Sequence, residues 1–279
     1  MPKSRPARLT VLRTESVTPH MTRVVLGDGP ATEGGFDAFV AGWQGWTDHY
    51  VKLVFLAAGH TYPEPLDLDV VRETMPHEAW PILRTYTVRH LDLDAREVWI
   101  DFVVHGDEGV AGPWAARTQP GDTIHLRGPG GAYRPDPEVD HHLFVGDEAA
   151  LPAIAASLEA LPEGVRATAF VEVAGPDEEQ PIALRADVDL RWLHRGGAEA
   201  GSTDLLEQAV RAWQRPSGRL AVFVHGESRL LRTVRPFLLG ERGVERADAS
   251  ISAYWRRGDT EESFRQWKSQ QSDVIVRPA

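Results

Sequence analysis

The segment RTYTVR, Arg84 to Arg89, sets a guanidinium, an aromatic ring and hydroxyls at alternating positions of a stretch that reads as a β-strand over 83–90. Successive side chains on a strand point to opposite faces, so Arg84, Tyr86 and Val88 share one face and Thr85, Thr87 and Arg89 the other. Such a face suits a flavin: the ring stacks on the isoalloxazine, an arginine neutralises phosphate, and hydroxyls or backbone amides bond the polar edge. It equally suits an edge strand with solvated arginines.

A second segment, DFVVHGDEGVAGPWAA from Asp101 to Ala116, runs from a strand into a glycine-rich turn and then a short helix beginning near Pro113. Backbone amides at a helix start, with glycines permitting close approach, make a place for a pyrophosphate. A plain strand-to-helix turn uses the same punctuation. A third position of interest is Lys52, which alternation places with Tyr50 and Val54 on one face of a strand over 49–56. Its ammonium either faces a ligand or reaches past the strand to water.

Other chemistries find little support. The histidines are scattered, with no helical HxxxH pair, so no resident metal site is expected. Gly226-Glu227-Ser228 is not a GxSxG elbow and no carboxylate pair stands out, which argues against a hydrolase. Cysteine is absent, which removes disulfides, thiolate zinc sites and cysteine-held iron-sulfur clusters together. Redox chemistry would therefore need an organic cofactor or another metal, and no catalytic side chain beyond the cofactor is expected.

The elements that must hold these residues fall into two halves. In the first, strands are expected over 7–13, 20–27, 49–56, 83–90, 97–105 and 122–128, a six-stranded antiparallel barrel. Residues 57–81, rich in Pro, Glu and Asp, read as a surface insertion with a short helix over 68–73. From His141 the texture changes to apolar strands over 142–146, 168–173, 190–193, 220–224 and 249–254, with helices over 152–161, around Leu205 to Trp213 and over 261–268. That alternation predicts a parallel sheet with helices on both faces. Asp259 with Glu262 reads as a capping box for the last helix. Residues Tyr133 to Asp140, with prolines at 135 and 137, read as a linker, giving a barrel domain over 1–137 and an α/β nucleotide-binding domain over 138–279.

The chain has 279 residues and a formal charge of -11, with arginines dispersed, so a general nucleic-acid surface is not expected. No apolar run approaches the roughly 20 residues of a membrane-spanning helix, and MPKSRPARLTVL has no leader pattern. A cytoplasmic protein is expected.

RTYTVR, DFVVHG with GPWA, LRGPGGAY, GDEAALPAI, VFVHGE and SAYWRRG, in that order, resemble the siderophore-interacting protein family of the ferredoxin-NADP reductase superfamily. The resemblance spans nearly the whole chain and implies an FAD-binding barrel followed by a nicotinamide-binding domain. It implies that Arg84, Tyr86, Thr87, Val88 and Arg89 contact the flavin. Asp101, Val103, His105, Ala111, Trp114 and Ala115 would hold the diphosphate and adenosine side, and Asp147, Glu148 and Ala149 would form the first strand-to-helix turn of the nucleotide domain. Lys52, Arg127 and Arg256 would be a basic set attracting an anionic ferric siderophore. Ala149 stands where the family commonly has threonine, and Gly130 where relatives often carry arginine. Tyr254 and Trp255 would shield the flavin or serve as core aromatics.

The implied activity is electron transfer from NADH or NADPH through FAD to ferric siderophores, releasing Fe(II) for iron assimilation. The acidic run from Glu172 to Gln180 suits a ribose diol better than a 2′-phosphate, a slight lean to NADH, although Arg185, Arg191 and Arg195 are near in sequence. Two alternatives stay open: a general flavin- or ferredoxin-linked reductase, and a non-enzymatic ferric-siderophore binding protein.

Overall fold

The computed structural model describes residues 5–107 and 109–270. The chain divides into two compact units, Met1–Gly131 and Ala132–Ala279. The first unit is built from β1 (Ala7–Thr18), β2 (Met21–Gly27), α1 (Gly35–Val40), β3 (Tyr50–Phe55), α2 (Leu68–Thr74), β4 (Ile82–Asp92), β5 (Glu97–Val103), α3 (Ala111–Arg117) and β6 (Thr123–Gly130). The strands close into an antiparallel barrel in the order β1-β2-β5-β4-β3-β6, with β6 returning to β1. Closure leaves no open edge to pair with another chain.

Period-two alternation fills the interior. Leu9 and Val11, Val24 and Leu26, Val51 and Leu53, and Ile100 and Phe102 all lie in one buried cluster, joined by Phe36 and Phe39 of α1 and by Ala111 and Ala115 of α3. The 57–81 segment is more than a surface insertion. Its Leu66, Leu68 and Val71 form a small core with Val54 and Leu83, covering the outward face of β3 and β4 at one end. Asp67 caps α2, its carboxylate accepting from Asp69 N at 3.0 Å, which starts the helix where the apolar residues can reach the barrel.

The second unit contains β7 (His141–Asp147), α4 (Leu151–Ala160), β8 (Arg166–Val173), β9 (Asp187–His194), α5 (Leu205–Ala212), β10 (Leu220–Glu227), α6 (Ser228–Pro236), β11 (Ala249–Trp255) and α7 (Glu261–Gln270). The five strands are parallel, in the order β11-β10-β7-β8-β9. Successive residues of β7 feed different cores: Leu143 and Val145 pack with Leu206, Val210, Leu231 and Phe264, whereas Phe144 packs with Leu151, Ile154 and Leu158. One face is thus covered by α4 and the other by α5, α6 and α7. The chain leaves β7 towards β8 on one side and reaches β10 on the other, so the crevice between β7 and β10 is the topological switch point.

Three details differ from expectation. Helix α6 was not anticipated, because only Leu231 and Val234 mark its buried face amid arginines and polar residues. The last helix is capped by Thr260, whose hydroxyl accepts from Ser263 N at 3.2 Å, while the Asp259 carboxylate pairs with Arg256 at 3.5 Å. The Asp259–Glu262 capping box is therefore corrected by one residue. Tyr133, within the proposed linker, is buried against Phe223 at 4.7 Å and belongs to the core of the second unit.

Candidate functional site

Register explains why β4 carries a half-buried cation and ring on the barrel's inner face. Val51 pairs with Tyr86, Leu53 with Arg84 and Phe55 with Ile82, so Arg84 and Tyr86 share the face of buried core residues. Burial falls along that face: Val88 is 2% exposed and Ile82 39%, with Tyr86 and Arg84 half-buried between them. The barrel interior therefore opens at this end, and it opens on Arg84 and Tyr86. The Tyr86 ring lies 4.4 Å from Phe102, which fixes its plane, and Arg84 donates to Leu83 O at 3.0 Å. Thr87, on the other face, is buried, and Arg89 is half-buried.

Asp101 is 4% exposed and its carboxylate takes a bidentate pair from Arg23 at 2.7 and 2.8 Å, across the β2–β5 register. Its side chain therefore braces the barrel wall. Val103 ends β5, His105 is exposed in the turn beyond, and α3 starts at Ala111 with no side-chain cap on its first amides. Trp114 wedges edge-on against Phe55 at 5.8 Å and close to Phe102 at 5.6 Å, fastening α3 to the barrel.

On the outward face, Lys52 of β3 stands directly opposite Arg127 of β6 and also opposite Thr85 of β4. Two residues earlier, Tyr50 pairs with Gly130 and Thr87. From Lys52 to Tyr50 the partner strand advances from Arg127 to Gly130, one residue more than a regular ladder allows, and Gly128 at φ 134 absorbs the bulge. His49 locks this end: it is buried, its Nδ1 is 3.0 Å from Gly130 O, and its Nε2 accepts from Gln44 N at 3.3 Å. Burial holds its pKa below the usual imidazole range, and these two bonds select the neutral tautomer with the proton on Nδ1.

In the second unit, a solvent-open cleft lies at the carboxyl ends of β7, β8 and β10, lined by Asp147, Glu172, Thr203, Asp204, Glu227 and Arg229 among others. Thr203 donates to Glu172 at 2.6 Å. Of the three arginines near this region in sequence, Arg195 alone reaches Glu172: it bonds Glu148 at 2.6 Å and lies 3.7 Å from Glu172. Arg191 pairs with Asp189, and Arg185 donates to Glu159 O.

Asp147 ties the strand ends together. Its carboxylate accepts from Ala149 N at 3.0 Å, Glu227 N at 2.9 Å and Trp255 Nε1 at 2.8 Å. Gly226, at φ 138, is required there, because a Cβ would lie 2.7 Å from the Asp147 carboxylate. Burial, and then the charge of Glu148, raise Asp147 to about 7 in spite of those donors. A carboxyl raised in the folded state stabilises fully below its unfolded pKa, and that contribution is lost as pH climbs through the folded value. The second unit is thus expected to lose thermal stability between about pH 4 and about 7 through this group, and Asp147→Asn should flatten that decline. Parallel wild-type and variant melting profiles across the window would contradict the assignment.

The structure thus sets Arg84 and Tyr86 on one face of β4, and Lys52 opposite Arg127 on the other side of the same sheet. Arg256 is in the second unit, paired with Asp259 and 5.2 Å from the Trp267 ring. Asp147 and Ala149 are joined by one hydrogen bond, with Glu148 between them turned to Arg195. Sequence reasoning gave no role to Thr203, to Glu227 or to Tyr50, which it placed only as a neighbour of Lys52. The position of Glu227 immediately after an apolar strand was the available signal for that residue. Among the described residues, no three His, Asp or Glu side chains converge so as to hold a metal ion.

Comparison with known proteins is consistent along the chain. The model of the siderophore-interacting FAD-binding domain matches residues 10–133, and that of the siderophore-interacting protein matches residues 139–258. An uncharacterized protein of Mycobacterium bovis is 46% identical over 276 residues, covering 95% of each chain. An NADPH-dependent ferric-chelate reductase of Escherichia coli is 30% identical over 258 residues, covering 88% of this chain and 91% of that protein. The crystal structure of a siderophore utilization protein from T. fusca superimposes with a TM-score of 0.76 at 37% identity, covering 91% of this chain and 93% of that one. The barrel, the parallel sheet and these matches over both halves lead to one conclusion: the chain belongs to the siderophore-interacting protein family.

Proposed function

We propose that this protein is a cytoplasmic FAD-dependent reductase that passes electrons from a nicotinamide, NADH in preference to NADPH, to ferric siderophores. The observation that carries the reading is the double use of β3, β4 and β6. One face ends in Arg84 and Tyr86, at the open end of the barrel; the other presents Lys52 opposite Arg127. The donor set fits FAD: a half-buried ring held by Phe102, a cation two residues before it, and uncapped amides at the start of α3. When bound, FAD supplies the conversion of a two-electron hydride into single-electron transfers.

The remaining work falls to the chain. Lys52 and Arg127 draw in an anionic chelate. Ferric ion is held tightly by hard oxygen donors and ferrous ion far less, so reduction itself loosens the cargo and no general acid is needed. The second unit holds the nicotinamide at its switch point. The carboxylates around that cavity accept from a ribose diol and repel an added 2′-phosphate, which supports NADH.

Steady-state turnover of a ferric chelate with NADH, NADPH and reduced ferredoxin tests the donor. NADH should give the highest kcat/KM, and a preference for NADPH would overturn that part of the reading. For the substrate side, Lys52→Ala is expected to raise KM by about fivefold with little change in kcat, and the effect should shrink at high salt as screening removes the long-range attraction. An unchanged salt response would remove Lys52 from the site.

A further inference from the structure

We infer that Tyr50 is a specificity-determining contact, its ring forming a platform on which an aryl group of an anionic metal chelate stacks beside Lys52 and Arg127. The inference rests on the reading of those two cations as the chelate site and adds to it a chemical preference.

Four observations converge. Tyr50 lies on the same outward face of β3 as Lys52, two residues away, which on a strand is the spacing of adjacent side chains on one face. It is 40% exposed, so the residue is open to solvent. The phenol end of its ring packs over Gly130: a Cβ there would lie 2.7 Å from Tyr50 Cζ and 2.8 Å from its Oη, space that any other residue at 130 would claim. The bulge at Gly128 and the His49 bond to Gly130 O bring the glycine under the ring while leaving Arg127 opposite Lys52. An exposed ring beside two cations complements an anionic chelate that carries aryl groups: the cations meet the charge and the ring meets an aryl plane. An aliphatic chelate of similar charge would gain from the cations alone.

The test uses gallium(III) catecholate and gallium(III) citrate, redox-inert stand-ins for the ferric complexes, titrated by calorimetry into the FAD-loaded protein. Tyr50→Leu should weaken the catecholate by about fivefold, the scale of one stacked ring, and leave citrate within about twofold. Gly130→Ala should do the same although the phenol is still present, because the new methyl drives the ring aside. Tyr50→Phe should bind as wild type. Equal effects of Tyr50→Leu on both chelates, or none on either, would overturn the inference. Lys52→Ala separates the two levels: if it weakens both chelates while Tyr50→Leu discriminates between neither, the chelate site stands and the platform falls. If Lys52→Ala affects neither, the site reading itself fails and the platform with it. Flavin content and circular dichroism of each variant establish that it is folded.

Discussion

Replacing Arg84 and Tyr86 together by alanine is expected to give a folded protein that has lost most of its flavin. Tyr86 sits at the open end of the barrel face with its plane set by Phe102, and Arg84 stands two residues earlier on that face. Removing a charge-assisted bond to phosphate and a stacked ring costs about 3 kcal/mol of binding, on the order of a hundredfold in Kd. At micromolar protein, a cofactor held in the nanomolar range would then wash out on gel filtration. Tyr86 also packs on the core, so the double variant will be somewhat less stable; circular dichroism and a Tyr86→Phe control separate loss of fold from loss of flavin. Full retention of yellow colour would remove both residues from the cofactor site.

A larger effect on stability is expected from Asp101→Ala. The carboxylate is 1% exposed and Arg23 14%, and their two bonds staple β2 to β5. Deleting the acid leaves a guanidinium mostly buried without its counter-ion, although stacked 4.9 Å from the Trp99 ring centroid. The expected loss is about 3 kcal/mol in urea unfolding. Removing both charges, Arg23→Leu with Asp101→Leu, should cost less than the single change, since no orphan charge remains. The side chain is engaged by Arg23, so flavin content per folded molecule should stay near wild type. A loss under 1 kcal/mol, or a double variant worse than the single, would show that the pair does not brace the wall.

Much of the architecture was legible because it rests on local periodicity. Leu9 and Val11, or Val24 and Leu26, alternate as a half-buried strand must, and the apolar runs of β7, β8 and β10 announce a sheet covered on both faces. The RTYTVR strand was readable for the same reason. What was hidden depends on partners distant in sequence. Asp147 finds its hydrogen-bond donors in Glu227 N and Trp255 Nε1, and Tyr50 packs on Gly130, contacts that exist only once β10, β11 and a bulged β6 have paired. The 57–81 segment looked polar because Leu66, Leu68 and Val71 are few, and they find a core only against Val54 and Leu83. Thr260 took the cap from Asp259 because the carboxylate had Arg256 within reach.

Electrons entering this protein from a nicotinamide are expected to leave it one at a time for ferric iron. The most direct measurement is anaerobic: purified protein is titrated with NADH until the flavin absorbance is bleached, then mixed with ferric siderophore and a ferrous trap. The flavin colour is expected to return as ferrous iron appears, with two irons reduced per flavin reoxidised. A protein without flavin colour, or one whose bleached flavin is unaffected by the ferric chelate, would rule out this route.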